Sequence, residues 1–269
     1  QFPCAAFADM EHGGDNDSPK FKMGRIIFTD NGYGYEKEGL EKSEIADEDL
    51  VDTDDGGSAY AQKATASLPA KYDPRSKLTT IKNQFQTGTC WAFAALSCTE
   101  SNLIQKGLEN QNVQFSVPSL ALSTYANGGF DESIWDCGGT WMDSSLAMAA
   151  HRGLCYDEYE PFVSDGTEAT IVSEEKKGIC EYQLNYASTI TGGRNAIKNK
   201  IKELGGVMVS YYADDLYMTF DNKSYYDPET TKYSGINHAV SVVGWDDNYS
   251  KSNFLAGYQP KKNGAWLVK

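Results

Sequence analysis

The sequence predicts an α+β fold on two observations. Ala- and Leu-rich stretches with helical stop signals fill its middle, and short runs rich in β-branched and aromatic residues fill its last third. At 269 residues, with 40% hydrophobic and 23% charged side chains, the chain is long and apolar enough to bury a core. Helices first and strands afterwards is the order of an α+β protein rather than of a repeating βαβ unit.

The first 68 residues differ from the rest. Between positions 36 and 55 stand ten acidic residues against two lysines, followed by Gly56-Gly57-Ser58. Such a stretch buries too little apolar surface to offset the entropy of ordering it. It reads as an acidic leader, a linker or a removable propeptide. The folded body is expected to start at Leu68-Pro69, where apolar and polar runs begin to alternate.

A helix of about four turns is predicted from Cys90, with Thr89 as its cap and Gly107 as its stop. A second helix starts around Ser116-Val117-Pro118, a third covers 144–153, and a fourth covers Arg194–Leu204 and ends at Gly205-Gly206. Strands are predicted at 207–212, 239–245 and 265–269.

Composition excludes several functions. A net charge of −14 repels phosphate backbones and anionic lipid, so nucleic acid is not an expected partner. The sequence contains no run of 18 apolar residues, and no membrane span is expected. Ala6-Phe7-Ala8 has the small-x-small form read by signal peptidase, which points to export. Six cysteines, at 4, 90, 98, 137, 155 and 180, include no CxxC pair, and their disulfide pairing is open. His12-Gly-Gly-Asp-Asn-Asp and Trp245-Asp246-Asp247-Asn248 offer oxygens without the spacing of a calcium loop. No metal and no organic cofactor is implied.

A cysteine in the first turn of a helix faces unsatisfied N–H groups and the positive end of the dipole, which favour thiolate over thiol. Cys90 is such a residue, whereas Cys98 on the same helix reads as packing. The surrounding string, Lys82-Asn83-Gln84-Phe85-Gln86-Thr87-Gly88-Thr89-Cys90-Trp91-Ala92-Phe93, resembles the nucleophile motif of the papain-like (C1 family) cysteine peptidases. Gly235-Ile236-Asn237-His238-Ala239-Val240 is similar to that family's strand-borne histidine, and it lies 148 residues after Cys90. The family's usual separation is roughly 130 to 150 residues. His12, in the leader, and His151, near a helix end, read as surface residues.

The resemblance implies Cys90 as nucleophile, His238 as general base, and Gln84 with the Cys90 N–H as donors to the oxyanion. It implies a glycine-rich wall at Cys137-Gly138-Gly139, with Trp141, Met142 and Asn237 as further substrate-binding candidates. The fold implied is the papain-like two-domain one, with a helical domain at 69–185, a β-rich domain at 186–269 and a cleft between them. The function implied is that of a secreted bacterial endopeptidase made as a zymogen, monomeric, acting on proteins or peptides. A papain-fold adhesion or peptide-binding protein, a thiol aminopeptidase and a transglutaminase are the alternatives.

Three departures stand out. Thr87 and Ser123 replace cysteines of the family pattern, and the sequence stops at Gly264-Ala-Trp-Leu-Val-Lys269, before the family's Asn-Ser-Trp-Gly. A polypeptide that ends there is expected to be weakly active, because the asparagine that orients the histidine is not in it.

Overall fold

The computed structural model describes residues 4–12, 67–85, 87–125, 139, 141–149, 153–159, 161–162, 182–190, 193–228 and 236–269. The acidic stretch at 36–55, Cys137, Gly138, His151 and Cys180 lie outside them. Helix α1 (Cys90–Gln105) carries twelve buried residues, so it is covered on most of its surface rather than along one stripe. Trp91, Leu96 and Leu103 are almost fully enclosed, each worth about 1.5–3 kcal/mol of apolar burial. The helix stops as predicted, with Lys106 at its C-cap and Gly107 at a φ of +71°.

Two further helices complete the layer around α1. Helix α2 (Val117–Tyr125) has Pro118 in its first turn, where the missing N–H costs nothing. Helix α3 (Trp141–Ala149) begins three residues before the predicted Ser144. Asp143 falls in its first turn, where a carboxylate complements the dipole, and Ser144 and Ser145 are buried within the helix.

The other layer is one antiparallel sheet. In chain order its strands are β1 (Cys4–His12), β2 (Lys71–Tyr72), β3 (Tyr182–Thr189), β4 (Val207–Tyr211), β5 (His238–Asp246) and β6 (Ala265–Val268). The order across it is β2-β5-β4-β1-β3, with β6 also on β5. Ala6-Phe7-Ala8 lies inside β1, opposite Ser188, Ala187 and Tyr186 of β3.

Strand β5 is the hub, paired with β2, β4 and β6. Its run from Ser241 to Trp245 is buried, as expected of a strand covered on both faces. Helix α4 (Arg194–Leu204) packs on it and ends at Gly205, whose φ of +88° only glycine adopts without strain. Its Lys198 donates to Asp247 at 2.6 Å and lies 5.3 Å from the centroid of the Trp245 ring. Lys71 pairs with Asp246 at 3.1 Å, so both carboxylates of the Asp246-Asp247 pair are engaged by lysines.

The two layers are joined through a buried charge. Glu100, in the middle of α1, is 2% exposed. Its carboxylate accepts from Thr79 Oγ1 at 2.5 Å and from the Phe115 N–H at 3.2 Å. Lys82 and Lys269 bring ammonium groups to 3.6 and 3.5 Å. Lys269 also donates to Thr79 Oγ1, and its own N–H and C=O pair with Ser241 of β5. Burial pushes the Lys269 ammonium down, and the carboxylate of Glu100 works against that shift.

Replacing Glu100 with Gln leaves two partly or fully buried ammonium groups without their counter-charge. The expected loss is about 3–5 kcal/mol, or roughly 10 °C in Tm for a domain of this size. Denaturant titration of the variant beside the wild type measures it.

Candidate active site

Each end of the site is set by an element boundary. Cys90 is the first residue of α1, and its side chain is half-buried beneath the start of β5. The expected Thr89 side-chain cap does not form. The Thr89 hydroxyl is buried and lies 2.6 Å from that of Thr87, while its carbonyl accepts from Ala92 and Phe93. The Thr89 side chain therefore makes no capping hydrogen bond to the first turn.

Gln84 is presented by a tight turn. Thr87 N–H and Oγ1 both donate to its carbonyl, at 3.2 and 2.7 Å, and Phe85 takes a φ of +52°. Asn83 Oδ1 accepts from Phe85 N–H at 2.7 Å, which compensates for that strained backbone. One N–H of the Gln84 amide donates to the Thr87 carbonyl at 2.9 Å, leaving a second hydrogen on the same nitrogen.

His238 opens β5, in register with Tyr211 at the end of β4. Cys90, His238 and Gln84 line one cavity, with Phe93, Ala239 and Val240 on its walls. The sulfur is close enough to the Ala239 N–H for that group to favour its thiolate form. Cys90 and Ala239, the residue next to His238, are thereby in contact across the two layers.

The electrostatics are those of a partly buried site. Burial pushes the Cys90 thiol up and outweighs the N–H groups of Ala239, Trp91 and Cys90 itself. Burial likewise holds His238 below its ordinary 6.5, and the Asp215 carboxylate works in the opposite direction. Neither group ionises readily alone, so an ion pair between them forms only as a coupled pair.

The remaining sequence candidates are placed as follows. A side chain on Gly139 would put its Cβ 2.4 Å from the Trp91 indole, so this glycine is required by close packing on the nucleophile helix. Met142 is half-buried and packs against the main core. Trp141 is the first residue of α3, and its side chain lies outside the described residues. Asn237 spends its amide on Ala213, accepting from its N–H at 2.6 Å and donating to its carbonyl at 2.8 Å. Cys98 is buried 3.1 Å from Ser241 Oγ and pushed up to about 12, an inert thiol as read from sequence. Cys90 and Cys98 are free thiols. Among the described residues no cluster of His, Cys, Asp or Glu is arranged to hold a metal, and no helix is long and apolar enough to cross a membrane.

Comparison with known proteins shows the family. The family model described as papain family cysteine protease matches residues 68–269. The chain belongs to that family. Procathepsin L of Mus musculus is 26% identical over 224 residues, covering 79% of this chain and 59% of the relative. Cathepsin K of Mus musculus is 26% identical over 199 residues, covering 73% and 57%. Among solved structures, the clostridial cysteine protease Cwp84 after propeptide cleavage superposes with a TM-score of 0.60 at 29% identity, covering 74% of this chain and 49% of that one. The cysteine protease and lectin-like domains of Cwp84, a surface layer associated protein of Clostridium difficile, superpose at 0.63 with 28% identity, covering 76% and 45%. The chain thus spans about half to three fifths of the length of these relatives. The papain-like α+β fold expected from the sequence is the fold observed.

The depressed His238 gives a signed expectation for stability. The unfolded chain binds that proton more readily than the folded one. The contribution of neutral His238 is therefore present above 6.5 and lost as pH falls through the folded value. Thermal midpoints measured from about pH 8 to about pH 5 are expected to fall more steeply for the wild type than for His238→Ala.

Proposed function

We propose that this chain is the catalytic unit of a secreted or surface-associated bacterial endopeptidase that cleaves peptide bonds through Cys90 and His238. The observation that carries the reading is the shared cavity in which the sulfur at the start of the buried helix meets the N–H of Ala239, beside the imidazole of His238. The likeness to a clostridial surface-layer protease supports the bacterial and extracellular setting.

Cys90 Sγ attacks the carbonyl carbon of an extended peptide as His238 takes its proton. Negative charge develops on the carbonyl oxygen and is met by the Cys90 N–H and the Gln84 amide. Such a donor is worth about 2.7–4 kcal/mol. Collapse of the tetrahedral species expels the amine, which leaves with the proton from His238, and the thioester remains on Cys90. Water, deprotonated by His238, then releases the acid. The burial that opposes both isolated charges favours the step in which they appear together, as neighbours.

The residues proposed to bind the substrate are Gly138, Gly139, Trp141 and Met142, as the wall that the family resemblance implies, together with Asn237. In this reading the leader 1–68, whose strand β1 is paired with β3 and β4, includes a propeptide segment removed on activation, and the active form is a monomer.

The test is labelling of the full-length protein with an irreversible epoxide directed at thiol peptidases, followed by peptide mapping. Modification confined to Cys90 and lost in His238→Ala is the expected result. No modification at Cys90 would favour a binding or adhesion protein. In a peptide-cleavage assay Gln84→Ala is expected to lower kcat by roughly 10² to 10³.

A further inference from the structure

We infer that Tyr211 is a positioning residue for His238, holding the imidazole in the plane from which it reaches Cys90. This rests on the Cys90–His238 reading proposed above. The two residues are cross-strand partners of β4 and β5, so their side chains leave the same face of the sheet. Their ring centroids are 5.7 Å apart with planes at 71°, an edge-to-face contact.

Tyr211 is itself held from behind. The ring of Tyr225 lies 5.6 Å from it at 58°. The Tyr225 hydroxyl donates to the Tyr212 carbonyl at 3.0 Å and accepts from the Asp214 N–H at 3.3 Å. The column Tyr225–Tyr211–His238 is thereby anchored to the backbone that follows β4. The chain before the histidine is tied to the same backbone, since Asn237 N–H donates to the Tyr211 carbonyl at 3.2 Å and the Asn237 amide pairs both ways with Ala213.

These contacts divide the work. Hydrogen bonds through Asn237 fix where the His238 backbone sits, but they leave its ring free to turn, because rotation about an sp³–sp² bond is broad. The face and edge of Tyr211 restrict that rotation. Burial pushes the Tyr211 phenol up to about 12, so it stays neutral beside the imidazole throughout the working range. Of the groups around the pair, Asp215 is the anion and Cys90 the thiol.

The experiment compares Tyr211→Phe, which keeps the ring, with Tyr211→Leu, which removes it, in the full-length protein. Peptide-cleavage kinetics and the pH dependence of Cys90 alkylation by iodoacetamide are measured for each. Phe is expected to stay within about twofold of wild type, and Leu to lose roughly twofold to tenfold in kcat with KM unchanged. The Leu variant is also expected to lose the acid-side alkylation rate that marks thiolate held by imidazolium. Should Leu fail to fold, Tyr211→Met carries the same comparison. Full kcat in the Leu or Met variant, or failure of Phe to restore it, overturns the inference while leaving Cys90 and His238 in place. A wild-type protein that neither cleaves peptide nor alkylates at Cys90 overturns both.

Discussion

A carboxylate sealed inside helix α1 is the constraint that organises this molecule. A carboxylate at 2% exposure, like that of Glu100, is costly to bury unless opposite charge and hydrogen-bond donors come to it. They come from three separate parts of the chain: Thr79 and Lys82 ahead of the helix, Phe115 after it, and Lys269 at the far end of the sequence. Because Lys269 is also hydrogen-bonded to Ser241, three residues beyond His238, the same charge that holds the helix in its layer holds the histidine strand against it. The thiol and the imidazole line one cavity between the elements that this buried anion ties together.

That arrangement also accounts for the electrical character of the site. The layers close tightly enough that Cys90 and His238 are both drawn toward their neutral forms. Opposing influences exist on each, the N–H of Ala239 on one and the carboxylate of Asp215 on the other, but burial dominates. In the mechanism proposed above, charge separation is then set by how the two groups face each other rather than by either one alone.

Much of this was legible in the residues. Helix α4 was readable to both ends and α1 at its start and stop, because glycine in a left-handed conformation is a local signal. Strands β4, β5 and β6 were found within a residue or two, since their β-branched runs are dense. Strand β3 was missed: its buried positions Tyr182 and Leu184 alternate, but Ala187 breaks the period. Strand β2 is two residues long and exists only through its pairing with Trp245 and Asp246. Cys90, Gln84 and His238 were legible as motifs, whereas Tyr211 was not, because the register between two strands is absent from either one read alone. Thr89 was read as a side-chain cap because its hydroxyl is the right group in the right place, and the competing hydroxyl of Thr87 has no local signature.

That inward-turned hydroxyl gives α1 an unusual beginning. Many helices cap their leading amides with the side chain just before them, and here the Thr89 side chain makes no such bond. In the mechanism proposed above, the oxygen of the tetrahedral species meets the Cys90 N–H at that same end and serves as a visiting cap. The leading turn then gains an acceptor that its own flanking residue does not supply, at the instant of bond rearrangement.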